Sequence, residues 1–250
     1  MNWNDFARYY DWEFEKICTR QAEDIGFWLD AAARFGSPIL ELCCGSGRIT
    51  IPLAKVGFPV TAVDYSSALL DALQAKAGQL PISTLQADMR SFSLDATFPF
   101  AFISYSSFQQ LLTQDDQIRC LSSLHDHLHS DGILGIDLTP CLCEGPDTFP
   151  LTLQYRSYFS PAKSTLAMFT SYDIDRLNLI KHWHDRYEEL LPDGSKRTFE
   201  HNISLRECSL DYMKLLLDAC GFSLEEVYGD FQKGPVVPES HNLILIAQKR

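Results

Sequence analysis

The chain has no apolar run approaching the roughly 18 residues that a membrane span needs. Its start, Met1-Asn2-Trp3-Asn4-Asp5, lacks the basic stretch followed by an apolar one that marks a secretory leader, so the expected location is the cytoplasm. Positive charge is scarce. Against 33 Asp and Glu stand 21 Lys and Arg, a formal net charge of −12, which opposes a broad phosphate-binding surface and disfavours nucleic acid as a partner. Paired cysteine spacing is also missing: the cysteines at 18, 43, 44, 120, 141, 143, 208 and 220 include no CxxC. They read as reduced, mostly buried thiols rather than a disulfide or zinc framework, and Cys141 and Cys143 find no second pair at metal-ligand spacing. No internal repeat or low-complexity linker divides the chain. Its 250 residues, 46% hydrophobic, suffice for one large domain or one domain with an insertion.

What is present is a strand-to-glycine signal. Pro38 to Leu42 is a short apolar run interrupted by Glu41, and Cys43-Cys44-Gly45-Ser46-Gly47-Arg48 follows, with a helix expected over Ile49 to Val56. Glycines at that junction permit close backbone approach, and a helix N-terminus offers unpaired N–H groups to a ligand. Taken alone, the loop fits an ordinary tight turn as well as a nucleotide-type cofactor site.

The order of elements extends the pattern. Apolar positions Ile17, Ile25, Trp28, Leu29 and Ala32 recur at helical spacing over residues 14–34, ahead of the first strand. A second strand at Phe58 to Asp64, a helix at Ser66 to Ala77, and strands at Ile82 to Ala87 and Phe98 to Tyr105 follow. A helix from Thr113 to about His129, closed by Asp131-Gly132, leads to a strand at Ile133 to Leu138. Five strands with intervening helices predict a doubly wound parallel sheet. From Pro140 the period changes. Leu151 to Phe159, Ser164 to Asp175, Leu177 to Leu190 and Arg197 to Arg206 are long and rich in aromatic and β-branched residues, with a hairpin turn at Leu191-Pro192-Asp193-Gly194. This predicts an antiparallel β meander over 140–206, inserted into a domain made of 1–139 and 207–250. The α/β pattern resumes with a helix at Ser209 to Cys220 and strands at Ser223 to Tyr228 and His241 to Gln248, seven strands in all for the main sheet.

Acids end three successive strands, Glu41, Asp64 and Asp88, whereas a dinucleotide site would show a third glycine where Arg48-Ile49-Thr50 stands. A row of acids at the carboxyl edge of a parallel sheet suits a nucleoside held at several points. Here the chain resembles the class I S-adenosylmethionine-dependent methyltransferases over nearly its whole length. The resemblance is carried by Leu40-Glu41-Leu42-Cys43-Cys44-Gly45-Ser46-Gly47-Arg48, Val63-Asp64-Tyr65-Ser66, Gln86-Ala87-Asp88-Met89, Phe100-Ala101-Phe102-Ile103 with Ser104-Tyr105-Ser106-Ser107-Phe108, and His129-Ser130-Asp131-Gly132-Ile133-Leu134. Cys43 departs from the family, which usually has glycine there. The resemblance implies a Rossmann-like methyltransferase fold with S-adenosyl-L-methionine as cofactor. It implies that Glu41, Cys43, Gly45 and Gly47 surround the methionine part, that Asp64 takes the ribose hydroxyls, and that Asp88 with the Met89 backbone reads the adenine amino edge. Tyr65 and Met89 would sandwich the adenine, or pack in the core. Ser104 closes the fourth strand beside the same site, and Tyr10, in the aromatic N-terminal segment with Phe6, Tyr9 and Trp12, is a contact of the kind that family members make by folding that segment over the cofactor.

Methyl transfer is a direct displacement in which orientation and water exclusion carry most of the work, so no metal or Ser-His-Asp set is needed, and none is evident. The insertion, with Tyr155, Tyr158, Phe159, Met168, Phe169, Tyr172 and Trp183, would roof a pocket or face a second copy in a homodimer. His182 and His184 alternate with Trp183 and therefore share one strand face, from which either could accept a proton from an acceptor. The expectation is a small-molecule N- or O-methyltransferase. The alternatives are a non-catalytic cofactor-binding or partner subunit of the same fold, and an RNA or protein methyltransferase. Net acidity weighs against that last one, as does Ser104-Tyr105-Ser106-Ser107 where an amide-methylation motif of the Asn-Pro-Pro-Tyr type would stand.

Overall fold

Short apolar segments with no polar face can be satisfied only in a sheet covered on both sides, and the centre of this molecule is built that way. The structure, a computed structural model, describes residues 3–16 and 21–250. Strands β1 (Ile39–Leu42), β2 (Val60–Asp64), β3 (Ile82–Gln86), β4 (Phe98–Ile103) and β5 (Leu128–Leu138) run parallel. β10 (Phe222–Tyr228) and β11 (Leu243–Lys249) complete a seven-stranded sheet of order β10-β11-β5-β4-β1-β2-β3, with β11 antiparallel to both neighbours. The chain leaves β1 toward β2 and β3, then returns to β4 on the other side of β1. That reversal opens a crevice at the carboxyl ends of the strands, where open α/β sheets take ligands.

Both faces of the sheet are filled. On one, Trp28 of α2 (Gln21–Phe35) lies fully buried and stacks on Phe102 at 4.6 Å. On the other, Leu121 and Leu124 of α5 (Gln114–Asp126) pack with Met213 and Leu217 of α6 (Leu210–Ala219) against Leu42 and Ile103. Local chemistry sets the helix starts: the Ser66, Thr113 and Ser209 hydroxyls accept the N–H of Leu69, Asp116 and Tyr212.

Between β5 and α6 the chain forms a separate four-stranded antiparallel sheet of β6 (Thr148–Phe159), β7 (Ser164–Asp175), β8 (Ile180–Leu190) and β9 (Lys196–Arg206), in sequential order. The expected turn closes β8 and β9: the Leu191 N–H donates to the Ser195 carbonyl at 2.9 Å, and Gly194 supplies a φ of 83°. Helix α1 (Trp3–Lys16) joins the two sheets. Phe6, Tyr9 and Trp12 pack against Phe159, Leu166 and Tyr187 of the insertion, with Tyr9 stacked on Phe199 at 4.7 Å. Its other side reaches the main domain, where the Ser66 hydroxyl donates to Asn4 Oδ1 at 2.7 Å and Lys76 pairs with Asp11 at 2.7 Å.

Two expectations are corrected. The helix drawn over 14–34 is two: α1 ends at Lys16 and α2 begins at Gln21, while Ile17 lies outside the described residues. Asp131-Gly132 does not end α5. That helix stops at His127, whose Nε2 accepts the Leu94 N–H and whose ring stacks on Phe92, while Leu128 already pairs with Phe98 and starts β5 early, with a register shift before Phe100. His125, His127 and His129 consequently lie in a helix, at its cap and in a strand.

A buried carboxylate of the insertion helps to fasten α1 to it. Glu189 is buried, a cost to its charge, yet it accepts hydrogen bonds from Ser164 at 2.7 Å and Tyr9 at 2.8 Å and pairs with Arg8 and Arg197, which together hold its pKa below the usual glutamate value. That stabilisation is present above the ordinary carboxylate range and fades as acid protonates the group. Glu189→Ala is expected to cost about 1–3 kcal/mol. Hydrogen exchange should then rise in α1 and β7 to β9 while β1 to β5 keep their protection.

Candidate functional site

The elements that end at the sheet's carboxyl edge leave a cavity of about 1030 Å³ between that edge, α1 and the inner face of the inserted sheet. Nine of the ten residues expected to meet the cofactor line it: Tyr10, Glu41, Cys43, Gly45, Asp64, Tyr65, Asp88, Met89 and Ser104. The tenth, Gly47, lies behind the loop, where an added Cβ would stand 2.3 Å from Leu73 Cδ1. Its use is to let the loop close onto α4 (Ser67–Ala77).

The glycine loop is tied to the second strand. Asp64, the last residue of β2, accepts the Gly45 N–H through Oδ2 and the Ser66 N–H through Oδ1, both at 2.8 Å. These bonds leave lone pairs on both oxygens toward the cavity, as a pair of ligand hydroxyls would require. Burial nevertheless pushes the Asp64 pKa up, against the pull of its backbone donors. Gly45 has a φ of 57°, and a Cβ there would meet the Tyr10 hydroxyl at 2.7 Å. Tyr10 thus covers the loop from α1, and its burial holds the phenol protonated. The helix after the loop, α3 (Thr50–Lys55), is only six residues long, so side-chain carboxyls rather than a helix dipole dominate the field.

Glu41 is buried, with the Thr50 hydroxyl as its donor, and burial raises its pKa to about 8. Asp137, in the interior of β5, accepts the Tyr105 N–H at 3.0 Å and an Asn242 amide N–H at 3.3 Å, and burial raises it to about 7. The nearest buried cation, Arg48, is already committed: it forks onto Asp24, with Nη1 at 2.8 Å, and lies 5.3 Å from the Tyr105 ring centre. This end of the cavity is therefore short of positive charge. A ligand carrying a sulfonium and an ammonium group would relieve that shortage, and a ribose suits Asp64. The donor set fits S-adenosylmethionine.

Cys43, at the position where glycine was expected, has a φ of 56°, and its thiol touches the Met89 sulfur at 3.5 Å. Burial raises its pKa, so it stays a neutral packing group. Tyr105 and Ser106, directly after β4, also have positive φ, at 55° and 59°. Each such non-glycine residue costs about 1–2 kcal/mol, and here the turn is held by Asp137 and by a 2.7 Å contact between the Ser106 and Thr139 hydroxyls. Asp88 differs from expectation in its chemistry: Arg90 fills its acceptor sites through N, Nε and Nη2, at 2.6–3.1 Å, and also pairs with Asp116. That fork lowers the Asp88 pKa. The Met89 backbone therefore remains the freer group at this strand end. Tyr65 is largely exposed at the rim.

His182 and His184 are not at the cavity. They occupy the outer face of β8, where His182 Nδ1 meets the Ser204 hydroxyl and His184 Nε2 meets Asp173, both at 2.8 Å. Strand alternation gives the inner face to Trp183, Asp185 and Tyr187 instead. Across the β8–β9 ladder Asp185 stands opposite His201. Sequence reasoning passed over Glu13, Asp137, Asp185 and His201. The first two are single acids on otherwise apolar faces, and the last two follow from counting register outward from the Leu191–Gly194 turn.

Among known sequences, the family described as a methyltransferase domain matches residues 39–132. The Bacillus subtilis (strain 168) protein YqeM, which carries a provisional methyltransferase name, is 29% identical over 253 residues, covering 100% of this chain and 98% of its own. Among solved structures, the CcbJ methyltransferase from Streptomyces caelestis superposes with a TM-score of 0.82 at 21% identity, covering 100% of this chain and 98% of that one. S-adenosylmethionine-bound CalS10, an amino pentose methyltransferase from Micromonospora echinaspora, gives 0.72 at 16% identity, with 96% of each chain covered. At such identities the structural likeness speaks for the fold.

Three buried carboxyls with raised pKa values, Glu41, Asp137 and Glu13 (about 7), bind more protons folded than unfolded. Their contribution to stability is complete below the ordinary carboxylate range and is lost as pH rises toward 7 or 8. The melting temperature of the ligand-free protein should fall across that window. S-adenosylmethionine should restore part of it with release of protons, seen as a buffer-dependent calorimetric enthalpy that Glu41→Gln reduces.

Proposed function

We propose that the chain, which carries a methyltransferase-domain match over residues 39–132 and aligns end to end with a methyltransferase-named relative, is a class I S-adenosylmethionine-dependent methyltransferase that moves the methyl group to a nitrogen or oxygen of a small molecule held under the inserted sheet. The observation that carries this reading is the single cavity running from the acid-lined strand ends to the aromatic roof. Ligand pockets for one molecule span roughly 300–1,000 Å³, so about 1030 Å³ accommodates a nucleoside cofactor and a modest second molecule together.

The cofactor supplies an electrophilic methyl group on a sulfonium. The chain's own residues bind and orient. Asp64 would hold the ribose hydroxyls while fixing the Gly45 backbone, Glu41 would sit beside positive charge, and Met89 with Cys43 would pack against the base. Tyr10 and Ser104 border the reacting region from above and from the sheet edge. Roof residues Trp3, Phe6, Trp183 and Tyr187 would exclude water and set the acceptor in line, the main requirement of a direct displacement.

Calorimetric titration with S-adenosylmethionine should give saturable binding that Asp64→Ala weakens at least tenfold, the loss of about one to two charge-assisted hydrogen bonds. A methyl-labelled donor offered with amines, phenols and carboxylates should label at least one small acceptor. Tight binding with no acceptor labelled in any class would overturn the reading in favour of a non-catalytic cofactor-binding subunit.

A further inference from the structure

The roof of the cavity has a chemistry of its own. Odd-numbered residues of β8 and β9 face inward, so Trp183, Asp185 and Tyr187 lie beside Ile203, His201 and Phe199, their cross-strand partners. His201 is 5% exposed, stacked on Phe6 at 4.5 Å and edge-on to Trp3 at 4.8 Å. Its ring nitrogens have no hydrogen-bond partner among the described residues, although the side chain lines the cavity. Burial lowers its pKa to about 4, so the imidazole is neutral near pH 7. A ring so placed offers a hydrogen bond to a molecule held in the cavity.

Glu13 reaches the same space from α1. It is 8% exposed and accepts hydrogen bonds from Tyr187 at 3.0 Å and Tyr155 at 3.1 Å. Asp185 accepts from the Thr170 hydroxyl. Neither acid has a Lys or Arg partner among the described residues: Arg8 and Arg197 are spent on Glu189, and Arg186 points outward over Phe169. The groups that face Glu13 are the phenols of Tyr155 and Tyr187 and the Asp185 carboxylate, while His201 across the cavity is uncharged. Burial, opposed by the two phenols and reinforced by Asp185, raises Glu13 to about 7. Two carboxyls without a cation, walled by Trp3, Phe6, Trp183 and Tyr187, form a receptor for a small organic cation.

We propose that the methyl acceptor is an aliphatic amine, bound as its ammonium form between Glu13 and Asp185, and that Glu13 removes the ammonium proton so that the free amine is methylated. This rests on the methyl-transfer reading above. In the step an N–H bond breaks and an O–H bond forms on Glu13. The nitrogen lone pair then forms the N–C bond, and the pair of the broken C–S bond stays on sulfur. The methylated product leaves as an ammonium ion, and Glu13 returns one proton to water. His201 accepts or donates one hydrogen bond to a polar group beside the amine and so positions it.

The test offers matched amines and alcohols of the same carbon skeleton to the full-length protein with labelled donor. Amines should be methylated and their alcohol counterparts not. With the best amine, kcat/KM should rise through about pH 7. Glu13→Gln should lower kcat about a hundredfold or more and remove that rise. Asp185→Asn should raise KM roughly tenfold and, with no cofactor present, weaken calorimetric binding of the methylated amine product. Both variants should keep wild-type affinity for S-adenosylmethionine, which reports that they are folded. Methylation of alcohols alone, or an unchanged pH profile and kcat in Glu13→Gln, would overturn the proposal while leaving methyl transfer intact. Labelling of no acceptor at all would instead defeat the function proposed above, and this inference with it.

Discussion

Helix α1 is held from two sides at once, and the cavity beneath it depends on that double attachment. Its aromatic face is buried against the inserted sheet and bolted by Glu189, while Asn4 and Asp11 reach α4 and the glycine loop. The inserted sheet also meets the main domain at the end of β9, where Gln109 donates to the Arg206 carbonyl at 3.1 Å and the Arg206 guanidinium to the Leu112 carbonyl at 3.4 Å. An antiparallel sheet of four strands can pair its own backbone, yet it needs something apolar to cover one face. Here that cover is a helix from the opposite end of the chain. The same helix contributes Tyr10 beside the glycine loop and Glu13 beneath the roof, so the joint that stabilises the fold also places two cavity side chains.

The second organising fact is electrostatic. Among the described residues the buried carboxyls around the cavity outnumber the cations, and the half-buried Arg48 is neutralised by Asp24. Desolvation then raises Glu41, Glu13, Asp137 and Asp64 together. A protein tolerates such an arrangement when ligand charge completes it, because an isolated buried carboxylate is otherwise driven to take up a proton. Left-handed non-glycine backbone occurs at the strand ends too, at Cys43, Tyr105 and Ser106, as it does in turns away from the cavity at Lys163, Leu179 and Lys233.

How far the sequence reveals the site differs between its two ends. At the strand ends, local pattern suffices: an apolar run stopping at an acid places Glu41 and Asp64 at the carboxyl edge of a parallel sheet. Gly45 announces a close approach, and the structure supplies the Tyr10 hydroxyl as what approaches. Even there Arg90 escaped notice, because its fork onto Asp88 depends on how a loop folds back rather than on any spacing. In the roof the same alternation that puts His182 and His184 on one face leaves open which face turns inward. Tertiary contact with α1 selects the Trp183 face, and with it Asp185 and, across the ladder, His201.

The sequence by itself determined the mostly parallel seven-stranded sheet, the additional antiparallel strands after it, the resemblance to S-adenosylmethionine-dependent methyltransferases and the acids at the strand ends. Each is written in hydrophobic period, turn residues and short motifs, which act between near neighbours in the chain. Only the tertiary structure decided the rest: that α1 bridges insertion and core, that Asp88 is taken by Arg90, that Asp137 and Glu13 are buried at the cavity, and that His201 rather than His182 or His184 faces it. Those outcomes turn on desolvation and on contacts between residues more than a hundred positions apart in some cases, such as Glu13 with Tyr187, and no local pattern encodes them.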